Sequence, residues 1–314
     1  MDKIALLFPG QGSQYVGMAK DLYEARSEVK VLYSSAEKIL DFDLAKICFE
    51  GPAEVLIQTK YTQPAIFTHS VALWMLVKDH DIKPAYTAGH SLGEYSALVA
   101  AGALSFGDGL WAVKNRSQLM QEACDQNRGT MAAIIGLSKE QVWSICQEAS
   151  NYGIIQPANF NGSDQIAISG EVKAVERGIE LAQKMGAKRA IPLEVAGAYH
   201  SELMRPAQEK FKSVIEKIEV KRPSIPVVAN VNAEPVSDPS QIKKLLTDQI
   251  TMPVLWHQSS ERMYREGVRS FVEMGPGKVL QGLLKRSFKD VRGFGIDKFA
   301  DIDKFTEMIA TKAG

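Results

Sequence analysis

Cysteine is scarce in this chain of 314 residues, and its spacing argues against the usual roles of paired cysteines. The three cysteines, Cys48, Cys124 and Cys146, are odd in number, and none belongs to a C-x-x-C pair. A disulfide framework and a structural zinc site are therefore both disfavoured, and a reducing compartment fits this cysteine usage. No other spacing typical of metal ligands occurs, so we expect no metal site.

Long apolar runs and an excess of one charge are also missing. No segment approaches the ~18 uninterrupted apolar residues of a membrane-spanning helix. The first apolar run, Lys3–Phe8, ends at Pro9-Gly10 and is too short for a signal peptide. Lysine plus arginine and aspartate plus glutamate both total 37. We therefore predict a cytoplasmic protein with no membrane or nucleic-acid partner, and an acidic partner would need a local basic patch.

The order of periodic segments predicts an α/β fold with two domains. Near both ends of the chain, strand-like segments alternate with helices, as in a parallel sheet covered by helices. Residues 127–194 instead follow the order β-α-β-β-α-β of a ferredoxin-like unit. We predict a large α/β-hydrolase-like domain from residues 1–126 and 195–314, with the small ferredoxin-like domain inserted at 127–194.

Proline and glycine predict two local features. Pro64 is expected in the first turn of a strongly apolar helix, where proline is tolerated. Asn161-Gly162 is expected to form the turn between two strands of the small domain, because this dipeptide favours tight hairpin turns.

The segment Gly89-His90-Ser91-Leu92-Gly93 has the pattern G-x-S-x-G. A strand-like run precedes it and a helix-forming run follows, which is the context of a nucleophile elbow. The N–H of Leu92 would then be the first oxyanion donor, at the positive end of the following helix. The alternative is a tight strand–helix turn in which glycines permit close packing.

A serine nucleophile needs a base, and the chain has five histidines: His69, His80, His90, His200 and His257. We expect His69 in the core and His80 in solvent. His90 is expected to point away from its neighbour Ser91, and His257 stays an undecided candidate for the base. His200 is favoured because it follows a strand and a loop of small residues, and because the order Ser…His matches hydrolase-like folds.

A carboxylate to orient the histidine is not evident. Asp164 falls in a hairpin turn, where turn chemistry explains it. A backbone or amide oxygen could orient the imidazole instead.

Six motifs, taken in order, resemble those of malonyl-CoA:acyl-carrier-protein transacylases: "FPGQGSQYVGM", "GHSLGEYSALVAAG", "RSQLMQEA", "ANFN", "AYHSELM" and "FVEMGPGKVL". The resemblance covers nearly the whole chain. It implies a ping-pong reaction in which Ser91 takes the malonyl group from malonyl-CoA and passes it to the phosphopantetheine thiol of holo acyl carrier protein. His200 would act as the base in both halves, and CoA is a substrate, so no cofactor is implied.

The resemblance also assigns roles to further residues. Gln11 would supply the second oxyanion N–H, and Gln249 would orient His200. Arg116 would bind the malonyl carboxylate, for which a planar guanidinium is well suited. Asn159 would lie near the site.

Tyr199 departs from the phenylalanine that is frequent before this histidine in the family. In the family this residue helps to shape the pocket beside the malonyl α-carbon, and the resemblance implies that Tyr199, which keeps the bulk, would exclude α-methyl substrates.

A basic cluster could receive the acidic carrier protein. Lys184, Lys188 and Arg189 lie close together in the sequence of the small domain, although mixed surfaces often carry such clusters. A monomer is expected.

Three other functions remain open. A polyketide-synthase acyltransferase would use the same residues with another carrier protein. An acyl-thioester hydrolase would admit water to the acyl-serine, but Arg116 argues against uncharged acyl chains. A non-catalytic scaffold is disfavoured because Ser91, His200 and Arg116 are all present.

Overall fold

The fold is described from a computed structural model that covers residues 3–80 and 82–313. Its strands are β1 (Lys3–Phe8), β2 (Pro84–Gly89), β3 (Gly129–Ile135), β4 (Ile155–Gly162), β5 (Gln165–Glu171), β6 (Arg189–Pro192), β7 (Val227–Val228), β8 (Pro235–Val236), β9 (Val268–Met274) and β10 (Arg292–Ile296). Its α-helices are α1 (Lys20–Ala25), α2 (Ser27–Leu40), α3 (Leu44–Glu50), α4 (Ala53–Leu56), α5 (Thr59–Val77), α6 (Gly93–Ala100), α7 (Phe106–Gln126), α8 (Lys139–Ala149), α9 (Val172–Lys184), α10 (Arg205–Ile215), α11 (Pro239–Asp248), α12 (Trp256–Arg265), α13 (Val279–Ser287) and α14 (Phe299–Ala313).

The larger sheet has the order β10-β9-β1-β2-β7-β8. All neighbouring strands are parallel except β7 and β8, which are antiparallel. The central strand β1 is buried from Ala5 to Phe8, as expected of a strand covered by helices on both faces. Its carboxyl end lies beside that of β2, so the loops that follow both strands meet at one edge of the sheet.

The smaller sheet is antiparallel, with the order β4-β5-β3-β6. Helix α8 follows β3 and helix α9 follows β5, which gives the chain order β-α-β-β-α-β. This confirms the predicted fold class, an α/β protein with a small ferredoxin-like unit. The exact limits of the two domains stay a prediction.

Two local predictions are wrong. The turn between β4 and β5 is formed by Ser163-Asp164, while Asn161-Gly162 is the end of β4. Helix α5 begins at Thr59, so Pro64 lies inside the helix rather than in its first turn. Nearly all of α5 around Pro64 is buried, and this tertiary packing outweighs the loss of one helical hydrogen bond.

Within residues 3–80 and 82–313, no helix is both long enough and apolar enough to cross a bilayer.

Candidate active site

Ser91 lies in the sharp turn between β2 and α6, with a backbone φ of +51°. This left-handed conformation is uncommon for a residue with a side chain. The turn is tight because a Cβ on Gly89 would lie 1.9 Å from the carbonyl of Gly93, and a Cβ on Gly93 would lie 2.1 Å from the carbonyl oxygen of Phe8. The two glycines of the G-x-S-x-G pattern therefore allow the strands and the helix to meet behind Ser91.

His200 is the base partner of this serine in geometric terms. Its Nε2 lies 2.8 Å from Ser91 Oγ, and its Nδ1 lies 2.8 Å from the main-chain oxygen of Gln249. A carbonyl oxygen can only accept, so Nδ1 carries the proton and Nε2 is free to accept the hydroxyl proton of Ser91. The position of the missing carboxylate is thus taken by a main-chain carbonyl, supplied by the residue that follows α11.

The surroundings of His200 favour the neutral imidazole. Burial, and next the nearby positive charge of Arg116, lower the pKa of His200 to about 3. The ring is therefore neutral in the free protein at neutral pH, with no proton on Nε2, as a general base must be.

Arg116 lies on α7 and is 1% exposed. Its Nη1 donates to Gln63 Oε1 at 2.6 Å, and its Nη2 donates to Ser91 Oγ at 3.0 Å and to Gln249 Oε1 at 2.9 Å. These acceptors are all neutral, and Arg116 has no ion pair with any residue that the structure describes. Such a buried cation favours an incoming carboxylate.

Backbone donors lie on two sides of the elbow. Leu92 precedes the first residue of α6, and Gln11 is in the loop after β1. Neither main-chain N–H has a hydrogen-bond acceptor among the described residues. Both are thus free to serve a substrate oxygen, and their role as oxyanion donors stays a prediction.

A cleft of about 450 Å³ opens in front of Ser91 and is lined on one side by the smaller sheet. Asn159 of β4 and Tyr199 both line it, each 7% exposed. The Tyr199 hydroxyl is hydrogen-bonded to Thr59 Oγ1, so its polar end has a protein partner.

Sequence reasoning missed a polar network behind the elbow. Asn230, two residues after the end of β7, accepts a hydrogen bond from Ser91 N–H at 2.7 Å. Glu94, buried in α6, accepts from Gln249 Nε2 at 2.7 Å and from Asn230 N–H at 3.1 Å. Burial raises the pKa of the Glu94 carboxyl to about 7. The one sequence signal that could have indicated this network is that Asn230 follows a strand-like segment, which in the structure is β7 beside β2.

The other histidines lie apart from the Ser91 hydroxyl. His69 is buried in α5 and bonds the main-chain oxygen of Asp297, while His90 bonds Asn161 Oδ1 at 2.8 Å. His257 is on α12, where its ring stacks on Phe288.

The basic cluster is on the surface of the unit that contains the smaller sheet, where α9 leads into β6. Lys184 ends α9, Arg189 begins β6, and all three side chains of the cluster are exposed. Lys188 Nζ lies 3.5 Å from Asp164 Oδ2, which partly offsets its charge.

Comparison with known proteins agrees with this geometry. The family model "Acyl transferase domain" matches residues 5–304. The malonyl CoA-acyl carrier protein transacylase of Bacillus subtilis (strain 168) is 48% identical over 287 residues, 91% of this chain and 90% of that protein.

Solved structures give the same result. An acyl carrier protein S-malonyltransferase from Vibrio cholerae superposes with a TM-score of 0.93 at 43% identity, over 96% of this chain and 99% of that one. A malonyl-transacylase in complex with a type II polyketide synthase acyl-carrier protein superposes with a TM-score of 0.94 at 39% identity, over 98% and 99% of the two chains. The chain therefore belongs to the malonyl CoA-acyl carrier protein transacylase family.

Proposed function

We propose that this protein transfers the malonyl group of malonyl-CoA to the phosphopantetheine thiol of an acyl carrier protein, through a malonyl ester on Ser91. The observation that carries the proposal is the position of Ser91 Oγ, which lies 2.8 Å from His200 Nε2 and 3.0 Å from Arg116 Nη2. One neighbour can take the proton of the hydroxyl, and the other can bind the carboxylate that distinguishes malonyl from acetyl.

In the first half-reaction Ser91 Oγ attacks the thioester carbonyl of malonyl-CoA, and His200 Nε2 takes the hydroxyl proton. The N–H groups of Leu92 and Gln11 stabilise the resulting oxyanion. The carbon–sulfur bond then breaks, and His200 returns the proton to the CoA thiolate.

The second half-reaction reverses these steps with another thiol. His200 removes the proton of the carrier's phosphopantetheine thiol, and the sulfur attacks the malonyl ester. The carbon–oxygen bond to Ser91 breaks, and the proton returns to Ser91 Oγ. One base thus serves both halves, since the two thiol substrates end in the same pantetheine group.

Arg116 selects the acyl group. Its guanidinium can give up its bond to Ser91 Oγ and make two parallel bonds to the malonyl carboxylate, while its bonds to Gln63 and Gln249 keep it in place. Tyr199 presents its ring to the cleft, because its hydroxyl is bonded to Thr59, and the ring disfavours an α-methyl branch. Asn159 lines the same cleft from β4.

The carrier protein docks beside the cleft on Lys184, Lys188 and Arg189. This placement is supported by the exposure of the three side chains and by Leu193, which follows β6 directly and lines the cleft. The native carrier belongs to fatty-acid synthesis. The polyketide carrier seen with a relative is the alternative, because the same acyl-serine would serve it.

Intact-mass spectrometry after brief incubation with malonyl-CoA tests the reaction. We expect a malonyl adduct on the wild-type protein, none on Ser91→Ala, and a reduced or acetyl-shifted adduct on Arg116→Ala. Holo acyl carrier protein of fatty-acid synthesis and of a polyketide synthase are then added in separate reactions. The native carrier should take the malonyl group from Ser91 faster than the other.

Two results would contradict the proposal. Absence of any adduct on the wild-type protein would leave the family fold without the activity. An adduct that decays to free malonate in the presence of holo carrier would instead identify a hydrolase.

A further inference from the structure

The buried carboxyl of Glu94 is the point where the polar groups behind Ser91 converge. The side chain is 2% exposed and lies in the first turn of α6, three residues after the nucleophile. A single oxygen, Oε2, accepts hydrogen bonds from Gln249 Nε2 and from the main-chain N–H of Asn230. The acyl-transfer steps described above use neither this carboxyl nor the amide of Asn230.

The two residues that donate to Glu94, Gln249 through its side chain and Asn230 through its main-chain N–H, also hold the backbone of Ser91. Asn230 Oδ1 accepts from Ser91 N–H at 2.7 Å, and Asn230 Nδ2 donates to the carbonyl of Gly89 at 2.7 Å. Gln249 Nε2 donates to the carbonyl of Ser91 at 3.1 Å. A serine at φ +51° needs such support, because strained backbone persists only where the surroundings over-determine it.

Gln249 also connects Glu94 to the guanidinium of Arg116. An amide has one donor end and one acceptor end, and Glu94 Oε2 fixes the donor end of Gln249 toward itself. The acceptor end, Oε1, must then face Arg116 Nη2, where it lies at 2.9 Å. A reversed amide would place two oxygens together at Glu94 and two donors together at Arg116.

We propose that Glu94 is a positioning residue, which through Asn230 fixes the strained backbone of Ser91 and through Gln249 fixes the guanidinium of Arg116. The inference rests on the proposed function, because it concerns the nucleophile and the carboxylate-binding group of that reaction. It assigns to one buried oxygen the alignment of both.

The test compares Glu94→Gln, which keeps an acceptor oxygen at this position, with Glu94→Met, which keeps the size and removes the acceptor. Rapid-quench intact-mass spectrometry gives the rate constant and the amplitude of Ser91 acylation over a range of malonyl-CoA concentrations. Glu273→Met is the matched control, since Glu273 is equally buried and caps the start of α13 at Leu280 and Gln281.

For Glu94→Met we expect the saturating rate constant to fall about 100-fold, the loss that follows when reacting groups are misplaced by about 1 Å. The malonyl-CoA concentration at half-saturation should rise as well, because Arg116 loses its fixed orientation. Glu94→Gln should restore most of both values. Glu273→Met should lower only the amplitude, which reports the folded fraction of the protein.

Other outcomes overturn the inference. If Glu94→Met lowers only the amplitude, the role of Glu94 is structural. If Glu94→Gln is as impaired as Glu94→Met, the charge of Glu94 matters rather than its acceptor geometry.

If Glu94→Met does not fold, Asn230→Ala and Gln249→Met replace it. Asn230→Ala should lower only the rate constant, whereas Gln249→Met should lower it and also raise the half-saturation concentration. Equal effects of the two variants would refute separate connections from Glu94 to Ser91 and to Arg116. Failure of the wild-type protein to acylate would refute the proposed function itself.

Discussion

At the scale of single residues, the unusual feature is a serine–histidine pair without a carboxylate. The main-chain oxygen of Gln249 fixes the tautomer of His200 but carries no charge to stabilise an imidazolium. The cation of Arg116, which donates to the same Ser91 hydroxyl, disfavours the imidazolium further. A bound carboxylate would offset that cation, so substrate binding and basicity of His200 are coupled in the proposed reaction.

This coupling predicts how His200 titrates. Because burial and Arg116 lower the pKa of His200 to about 3, its imidazole should stay neutral as the pH falls from about 7.5 to about 5, a range in which an ordinary histidine gains its proton. NMR titration of the histidine side chains, with the resonance assigned by comparison with His200→Ala, checks this. Arg116→Ala should raise the pKa of His200, since one charge that disfavours the imidazolium is gone. A titration midpoint of wild-type His200 near the ordinary histidine pKa would contradict the expected effect of burial and Arg116.

The residues differ in how far the sequence could predict them. Ser91 and His200 were found by a short pattern and by their order in the chain, and the structure places them in contact. Gln249 and Arg116 needed the family resemblance, because a glutamine after a helix and an arginine within one look ordinary. Glu94 escaped prediction because its partners come from distant parts of the chain, and a buried carboxyl has no local signature.

At the scale of secondary-structure elements, the elbow depends on the close approach of α6 to the end of β1. Gly93→Ala would put a Cβ 2.1 Å from the carbonyl oxygen of Phe8, and neither backbone can move without displacing Ser91. We expect the free energy of unfolding to fall by at least the ~1–3 kcal/mol typical of overpacking, and we expect no acyl adduct on Ser91. Thermal denaturation and intact-mass spectrometry measure the two effects.

Gly282→Ala is the matched control on another helix. Its added Cβ would meet only the end of Arg286, at 3.7 Å, so the variant should gain about 0.4–1 kcal/mol by restricting the unfolded chain. It should acylate like the wild-type protein. If Gly93→Ala behaved in the same way, the close approach would not be what shapes the elbow.

The elements also show where propensity is overruled. Asn161-Gly162 favours a tight turn, yet Asn161 stays in β4 and its side chain bonds His90 beside the nucleophile. A contact between β4 and the residue that follows β2 thus outweighs the local preference of this dipeptide. The order of the elements could be predicted because it depends on periodicity, whereas this turn depends on a partner 71 residues away.

At the scale of the whole molecule, the balance of charge requires that docking be local. With a formal net charge of +0, the chain has no global field to attract an acidic carrier protein. The double variant Lys188→Glu/Arg189→Glu should therefore raise KM for the carrier protein and leave acylation by malonyl-CoA unchanged. The effect on KM should shrink as salt is added, because exposed charges are screened.

A control of equal charge separates local docking from the overall field. Lys38→Glu/Lys46→Glu makes the same change in net charge on the exposed faces of α2 and α3, and neither residue lines the cleft. Steady-state kinetics with holo carrier should distinguish the two variants if the basic cluster is the docking surface. An equal rise of KM in both would mean that the carrier responds to total charge, and unchanged kinetics in both would place the docking surface elsewhere.

Because Asp164 already offsets part of the charge of Lys188, reversal of Arg189 alone should account for most of the rise in KM for the carrier protein.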